Sequence, residues 1–146
     1  MAPQQHMVEQ EAVPDAAPFL GEDWQEAWRR HLAASRELAH VGRWCDVDLV
    51  IRCGDRTETF QLVAGQPVVA AAPRAERIVL EGSSERWSAF LQPLPPPFHN
   101  AVLGMDRRCA DFSIAEGREL LVRHLRALTV VLDGARAAMA AVRAGG

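Results

Sequence analysis

The chain has 146 residues, 49% of them hydrophobic, which suits one globular domain with a sizeable core and leaves too little for two. Its formal net charge is -3 and its 16 basic residues are scattered, so no clustered cationic surface exists to displace counterions from a nucleic-acid backbone. No run approaches the length of a membrane span, and Met1 to Gly21 is polar, acidic and proline-punctuated where a secretory leader needs an apolar centre. These features lead to the expectation of a cytoplasmic protein with no membrane span and no nucleic-acid partner.

In chain order, residues 1–20 hold Pro3, Pro14 and Pro18 without a sustained apolar period, the composition of a disordered N-terminal arm. The folded domain is expected over 21–146. From Glu22, Asp23 and Glu26 have the spacing of a capping box, and Trp24, Trp28, His31 or Leu32, Ser35 and Leu38 step by three and four. That spacing predicts one helix ending near Gly42, with both tryptophans on a single face.

Alternation then replaces helical spacing. Val47, Leu49, Ile51 and Cys53 share one face of a strand over Asp46–Cys53, and Gly54-Asp55 turns the chain into a second strand over Thr57–Val63. A third strand is expected over Gln66–Ala71, a fourth over Arg77–Glu81 and a fifth over Cys109–Ala115. Connections this short imply an antiparallel meander. After the fourth strand, Gly82 and Ser83 open a helix that carries Trp87, Phe90 and Leu91. Pro93, Pro95, Pro96 and Pro97 follow; they fix φ and remove donors, which predicts a stiff extended connector over Gln92–Phe98 that frames an apolar cavity or, alternatively, forms a surface loop presenting proline to a partner.

Beyond Gly117, Leu121, Leu125, Leu128, Leu132, Ala135, Met139 and Val142 recur at spacings of four and three, the signature of a long amphipathic helix. Gly134 in its interior is expected to mark a bend or a break. The apolar stripe packs on the sheet or, alternatively, forms the seam of a homodimer through this C-terminal helix.

Catalytic chemistry is sparse. Cys45, Cys53 and Cys109 lie in no CxxC spacing and read as free thiols, and no histidine pairing with metal-ligand spacing occurs, so neither a metal nor a cofactor is implied. GxGxxG and GxxxxGK are both missing from the sequence, as is a GxSxG setting for Ser83 or Ser84. Asp46 and Asp48 share a strand face about 7 Å apart, a separation that resembles some hydrolase carboxylate pairs but equally serves to place charge on a sheet edge. No catalytic residue is assigned. The nearest to one is His99, which Phe98 and Asn100 could orient as a proton-transfer group.

DVDLVIRCGDRTETFQLVAGQPVV, then ERIVLEGSSERWSAFL, then CADFSIAEG with a terminal helix, resembles the sterol carrier protein 2-like (SCP2-like) lipid-binding domain over most of the chain. The most specific part is the strand-Gly-Ser-x-x-x-Trp pattern over Val79–Trp87. The resemblance implies an α+β fold: a five-stranded, mostly antiparallel sheet covered on one face by helices, enclosing an apolar cavity. It further implies a carrier or accessory role for an acyl chain, a sterol-like or a polyketide-like ligand, with Trp87, Phe90, Leu91, Phe98, Leu103, Leu121, Leu125 and Leu128 as candidate cavity lining. Three departures stand out: a C-terminus without the peroxisomal Ser-Lys-Leu, Ala-Glu-Gly-Arg-Glu where Glu-Gly-Asp is common, and the PLPPPFHN insertion. Two alternatives remain beside the carrier. One is a small isomerase or cyclase that uses the same cavity with His99 or Asp106 moving a proton; the other is a protein-interaction module built on the terminal helix or the N-terminal arm.

Overall fold

The alternation of Val47, Leu49, Ile51 and Cys53 builds the central strand of a five-stranded sheet, and helices bury that face. The computed structural model describes residues 16–68 and 76–145. In chain order its elements are α1 (Glu22–Ala33), α2 (Arg36–Val41), β1 (Val47–Cys53), β2 (Arg56–Val63), β3 (Gln66–Val68), β4 (Arg77–Gly82), α3 (Ser84–Phe90), α4 (Val102–Arg108), β5 (Phe112–Glu116), α5 (Arg118–Arg123) and α6 (Leu125–Gly145). The strand order is β3-β2-β1-β4-β5.

This is the expected α+β class, a mostly antiparallel sheet under helices, although the meander stops after β3. β1–β2, β2–β3 and β4–β5 pair antiparallel, whereas β4 lies parallel to β1 with Leu49 opposite Ile78 and Ile51 opposite Leu80. The chain leaves β3 at one edge and re-enters beside β1, so a tight turn cannot make the connection and the strand direction repeats. The third strand is described only over Gln66–Val68; the rest of its expected span lies outside the described residues. β5 begins at Phe112 because Cys109 ends α4 and a turn intervenes.

α1 and α6 cover the inner face. Trp24 and Trp28 stack with centroids 4.9 Å apart, and Trp28 meets Phe60 of β2 edge-on at 4.8 Å. Each indole N–H donates to a carbonyl in the middle of α6, Trp24 to Ala135 O at 3.1 Å and Trp28 to Val131 O at 3.0 Å. A helical carbonyl has a second lone pair for such a donor, so both buried indoles are satisfied. Gly134 lies between those two carbonyls. A Cβ there would stand 2.7 Å from Leu32 Cδ2, so the glycine is a notch that lets α1 close on α6.

Several expectations change at this contact. α6 runs unbroken through Gly134, and the interruption falls instead at His124, between α5 and α6. Ala127, Leu128, Val131, Leu132, Ala135, Ala138 and Met139 are buried inside this chain, so the stripe considered as a dimer seam packs internally. The single helix expected up to Gly42 is two, because Ser35 leaves the helical region (φ -80°, ψ 112°) and its hydroxyl caps α2 by accepting Leu38 N–H at 3.1 Å. At the start of α1 the N-cap is Gly21, with no side-chain cap; Glu22 and Asp23 sit in the first turn, where the helix dipole favours them.

Residues 1–15 of the expected arm lie outside the described residues. Its end does not behave as an arm, since Phe19 and Leu20 are both 1% exposed and Phe19 packs on Trp24 and Trp87. Arg56 of β2 holds that segment by donating to Phe19 O at 2.9 Å and Leu20 O at 3.1 Å.

Two tryptophans test this account. Trp28→Ala should cost about 3–5 kcal/mol of unfolding free energy, read from urea denaturation. Trp44→Ala, at a site 76% exposed, should stay within about 0.5 kcal/mol; equal losses would contradict the packing described.

Candidate functional site

Because aromatic rings fill the space between sheet and helices, open volume is displaced to the side where α3, the proline connector and α4 meet α5 and α6. Ser83 fixes the start of this region as the sequence predicts: its hydroxyl accepts Arg86 N–H at 3.1 Å and caps α3. α3 ends at Phe90. The connector does not run as a straight strut. It reverses in a turn closed by His99 N–H donating to Pro96 O at 3.0 Å, with Phe98 in the left-handed region at φ 69°.

Arg136 of α6 fastens the returning segment. Its guanidinium lies 4.3 Å above the Phe90 ring and donates to Phe90 O at 2.6 Å, with longer contacts of 3.4 Å to His99 O and Asn100 O. Asp133 accepts from it at 3.0 Å. Burial pulls the Arg136 pKa down, opposed by Asp133, yet an arginine stays protonated throughout the ordinary pH range. Sequence periodicity missed this residue, whose only local signal is the i,i+3 pairing with Asp133.

An apolar crevice results. Phe90, Val102, Leu103, Leu121, Leu125, Leu128 and Leu132 form its walls with Ala101, and Asn100, Thr129 and Asp133 form a polar rim. The cavity volume is about 30 Å³, room for a water or a methyl group. Of the eight candidate lining residues, Phe90, Leu103, Leu121, Leu125 and Leu128 therefore meet around one space. Trp87 and Leu91 do not reach it. Trp87 is fully buried, donates its indole N–H to Arg52 O at 2.8 Å and packs edge-on against Phe90 and Phe112. Leu91 is 1% exposed in the same core.

Phe98 and His99 line a second, more open and polar pocket of about 550 Å³ with Arg86, Arg108, Cys109, Ala110 and Asp111. Asp111 accepts from Ser83 Oγ and from Arg86 Nε, both at 2.6 Å. The Ser83 hydroxyl is the main reason its carboxyl lies below the usual range; burial opposes the shift and Arg86 adds to it. Arg86 Nη1 also reaches His99 Nε2 at 3.2 Å, and Cys109 Sγ stands 3.8 Å from the same nitrogen. Cys45 and Cys53 lie elsewhere in the core, and burial pushes both thiols up, Cys45 to about 11 with a further push from Asp46.

Asp106, a candidate proton carrier from the sequence, is committed to structure. It accepts Ile114 N–H at 3.0 Å and pairs with Arg118, joining α4 to β5 and α5. Burial pushes its carboxyl up, but these two bonds outweigh it and the net shift is downward. Among the described residues no group of three His, Cys, Asp or Glu could hold a metal ion, and no helix is long and apolar enough to cross a membrane.

Fold and site together define a small α+β domain whose margin carries an apolar crevice beside a polar pocket. The chain is similar to the solution structure of a conserved hypothetical protein from Thermus thermophilus described as a possible sterol carrier protein: TM-score 0.56, 20% identity, 81% of this chain and 87% of that one covered. At that identity the likeness shows a shared fold. No protein-family model matches the chain, and no curated protein matches it.

The Asp106 contacts predict acid sensitivity. A carboxylate whose pKa is lower folded than unfolded adds stability that is full above the unfolded value of about 4 and is lost as pH falls through the folded value. Asp106→Asn should therefore cost about 1 kcal/mol at neutral pH and lose that deficit below about pH 4. Thermal melts of both proteins across this range check it; curves that stay parallel would refute the assignment.

Proposed function

We propose that this chain is an SCP2-like domain that binds the apolar part of a small molecule, an acyl chain or a sterol-like or polyketide-like skeleton, in a carrier or accessory role. The observation that carries the reading is the crevice itself: Phe90, Leu103, Leu121, Leu125 and Leu128 come from four separate segments and converge on one apolar space with a polar rim. Such a lining fits a ligand with a hydrocarbon body and a polar end. The fold shared with a possible sterol carrier adds support.

Size sets the mechanism. Burying ten methylenes would contribute about 8 kcal/mol, the scale of a micromolar complex before ordering costs. The closed crevice of about 30 Å³ holds none of that chain. Binding therefore requires α4 to move outward from α6 while Arg136 holds the connector, with the Asp106 bonds as the contacts that resist. The cost of that opening subtracts from the affinity. The isomerase reading has less support, because His99 faces the polar pocket and Asp106 is bonded to Arg118 and Ile114.

Organic extraction of the purified protein, followed by mass spectrometry, should recover an apolar small molecule, and the extracted protein should bind a fluorescent fatty acid. Leu125 is 40% exposed at the crevice, so Leu125→Glu should keep the fold and weaken probe binding at least about tenfold. A protein that is empty on extraction and ignores the probe would overturn the proposal.

A further inference from the structure

The polar pocket holds a thiol and an imidazole whose arrangement serves no purpose in the carrier reading. We propose that Cys109 is a reactive nucleophile, with His99 as its proton acceptor, and that the pocket admits small carboxylates bearing an electrophilic carbon.

The tautomer of His99 follows from its partners. Nδ1 lies 2.9 Å from Pro97 O, and a carbonyl only accepts, so Nδ1 carries the hydrogen. Nε2 then holds the lone pair, which agrees with its contact at 3.2 Å to Arg86, a group that only donates. The Cys109 sulfur is 3.8 Å from that lone pair. His99 is 8% exposed and its backbone is held in the Pro96–His99 turn, so the base is preorganised toward the thiol. Cys109 itself is half-buried and borders a pocket wide enough for a small molecule, whereas Cys45 and Cys53 are buried.

On transfer, the S–H proton moves to Nε2, which releases the Arg86 Nη1–H it had accepted, and that donor turns to the thiolate. Asp111, bonded to Arg86 and Ser83, offsets part of that positive charge, and Glu85 acts on Arg86 in the same sense. The C-terminal end of α4 adds about half a negative charge against the thiolate. Arg108 stacks over Phe98 at 4.4 Å and has no carboxylate within ion-pair distance among the described residues, so its charge is available to an incoming anion.

Iodoacetate and iodoacetamide probe this directly. Sulfur forms a bond to the methylene carbon, the carbon–iodine bond breaks, iodide leaves with the electron pair and the thiol proton stays on His99. The chain contains no lysine, so cysteine adducts dominate, and peptide mass spectrometry assigns them. At neutral pH Cys109 alone should be labelled, at least about tenfold faster than a free cysteine derivative, and His99→Ala should slow it about tenfold or more. The anionic reagent reacts more slowly with an ordinary thiolate; at Cys109 the preference should reverse, and Arg108→Ala should abolish the reversal. Protection of Cys45 and Cys53 reports that each variant is folded. Should His99→Ala expose them, the wild-type pH profile decides: an unassisted thiol loses about tenfold in rate per pH unit of acidification, and a paired one holds a plateau. A free-thiol rate, an unassisted profile, or a rate unchanged in a folded His99→Ala protein would each overturn the nucleophile. An ordinary preference for iodoacetamide would overturn the anionic ligand class.

Discussion

The contact between α1 and α6 decides where this molecule keeps its empty space. Two stacked indoles and a glycine notch let the helices close against β2, and Trp24 and Trp28 are both fully buried there. Their N–H groups need acceptors once water is gone, and the carbonyls of Val131 and Ala135 supply them. Rings of this size, joined by Phe19, Phe60, Trp87 and Phe112, pack against one another between sheet and helices. The crevice lies where that aromatic packing ends, at Phe90.

Arg136 is the second constraint on the same region. It projects from α6, fully charged, onto an aromatic ring and the carbonyls of a segment with few backbone partners of its own. Prolines at 93 and 95–97 cannot donate, so the connector cannot secure itself by a hydrogen-bond ladder. One guanidinium with several donors replaces it. The proline-rich segment thereby becomes a border shared by both pockets, through Asn100 at the crevice and Phe98 and His99 at the polar pocket.

How much of this was legible in the sequence depends on how local the determining physics is. β1 and β2 follow from period-two alternation and the Gly54-Asp55 turn, and Ser83 caps α3 as its position implies. The break at Ser35 was obscured because apolar spacing continues across it, while a single hydroxyl bonded to Leu38 N–H restarts the helix. The parallel placement of β4 is a long-range choice that no short pattern records. Gly134 looked like a weakness in a helix because its partner, Leu32, is distant in sequence. Leu121, Leu125 and Leu128 were legible as one lining face because helical spacing on α5 and α6 points them the same way, whereas Val102 and Leu132 were not. The pairing of His99 with Cys109 was not. It needs the connector to reverse and α4 to bring its far end back to the imidazole.

That dependence on α4 links the two pockets. The helix contributes Val102 and Leu103 to the crevice at its beginning and ends in Cys109 at the polar pocket. It is only seven residues long, and a short helix packed as a unit moves as a unit. In the proposed binding mode, a ligand that displaces α4 would shift the sulfur relative to His99, because the imidazole is anchored separately through Pro96 and Pro97. A proton-transfer contact of 3.8 Å tolerates little lengthening. Under the two proposals, filling the apolar site and activating the thiol would compete for the position of one helix, and the stiffness of the connector would set how strongly.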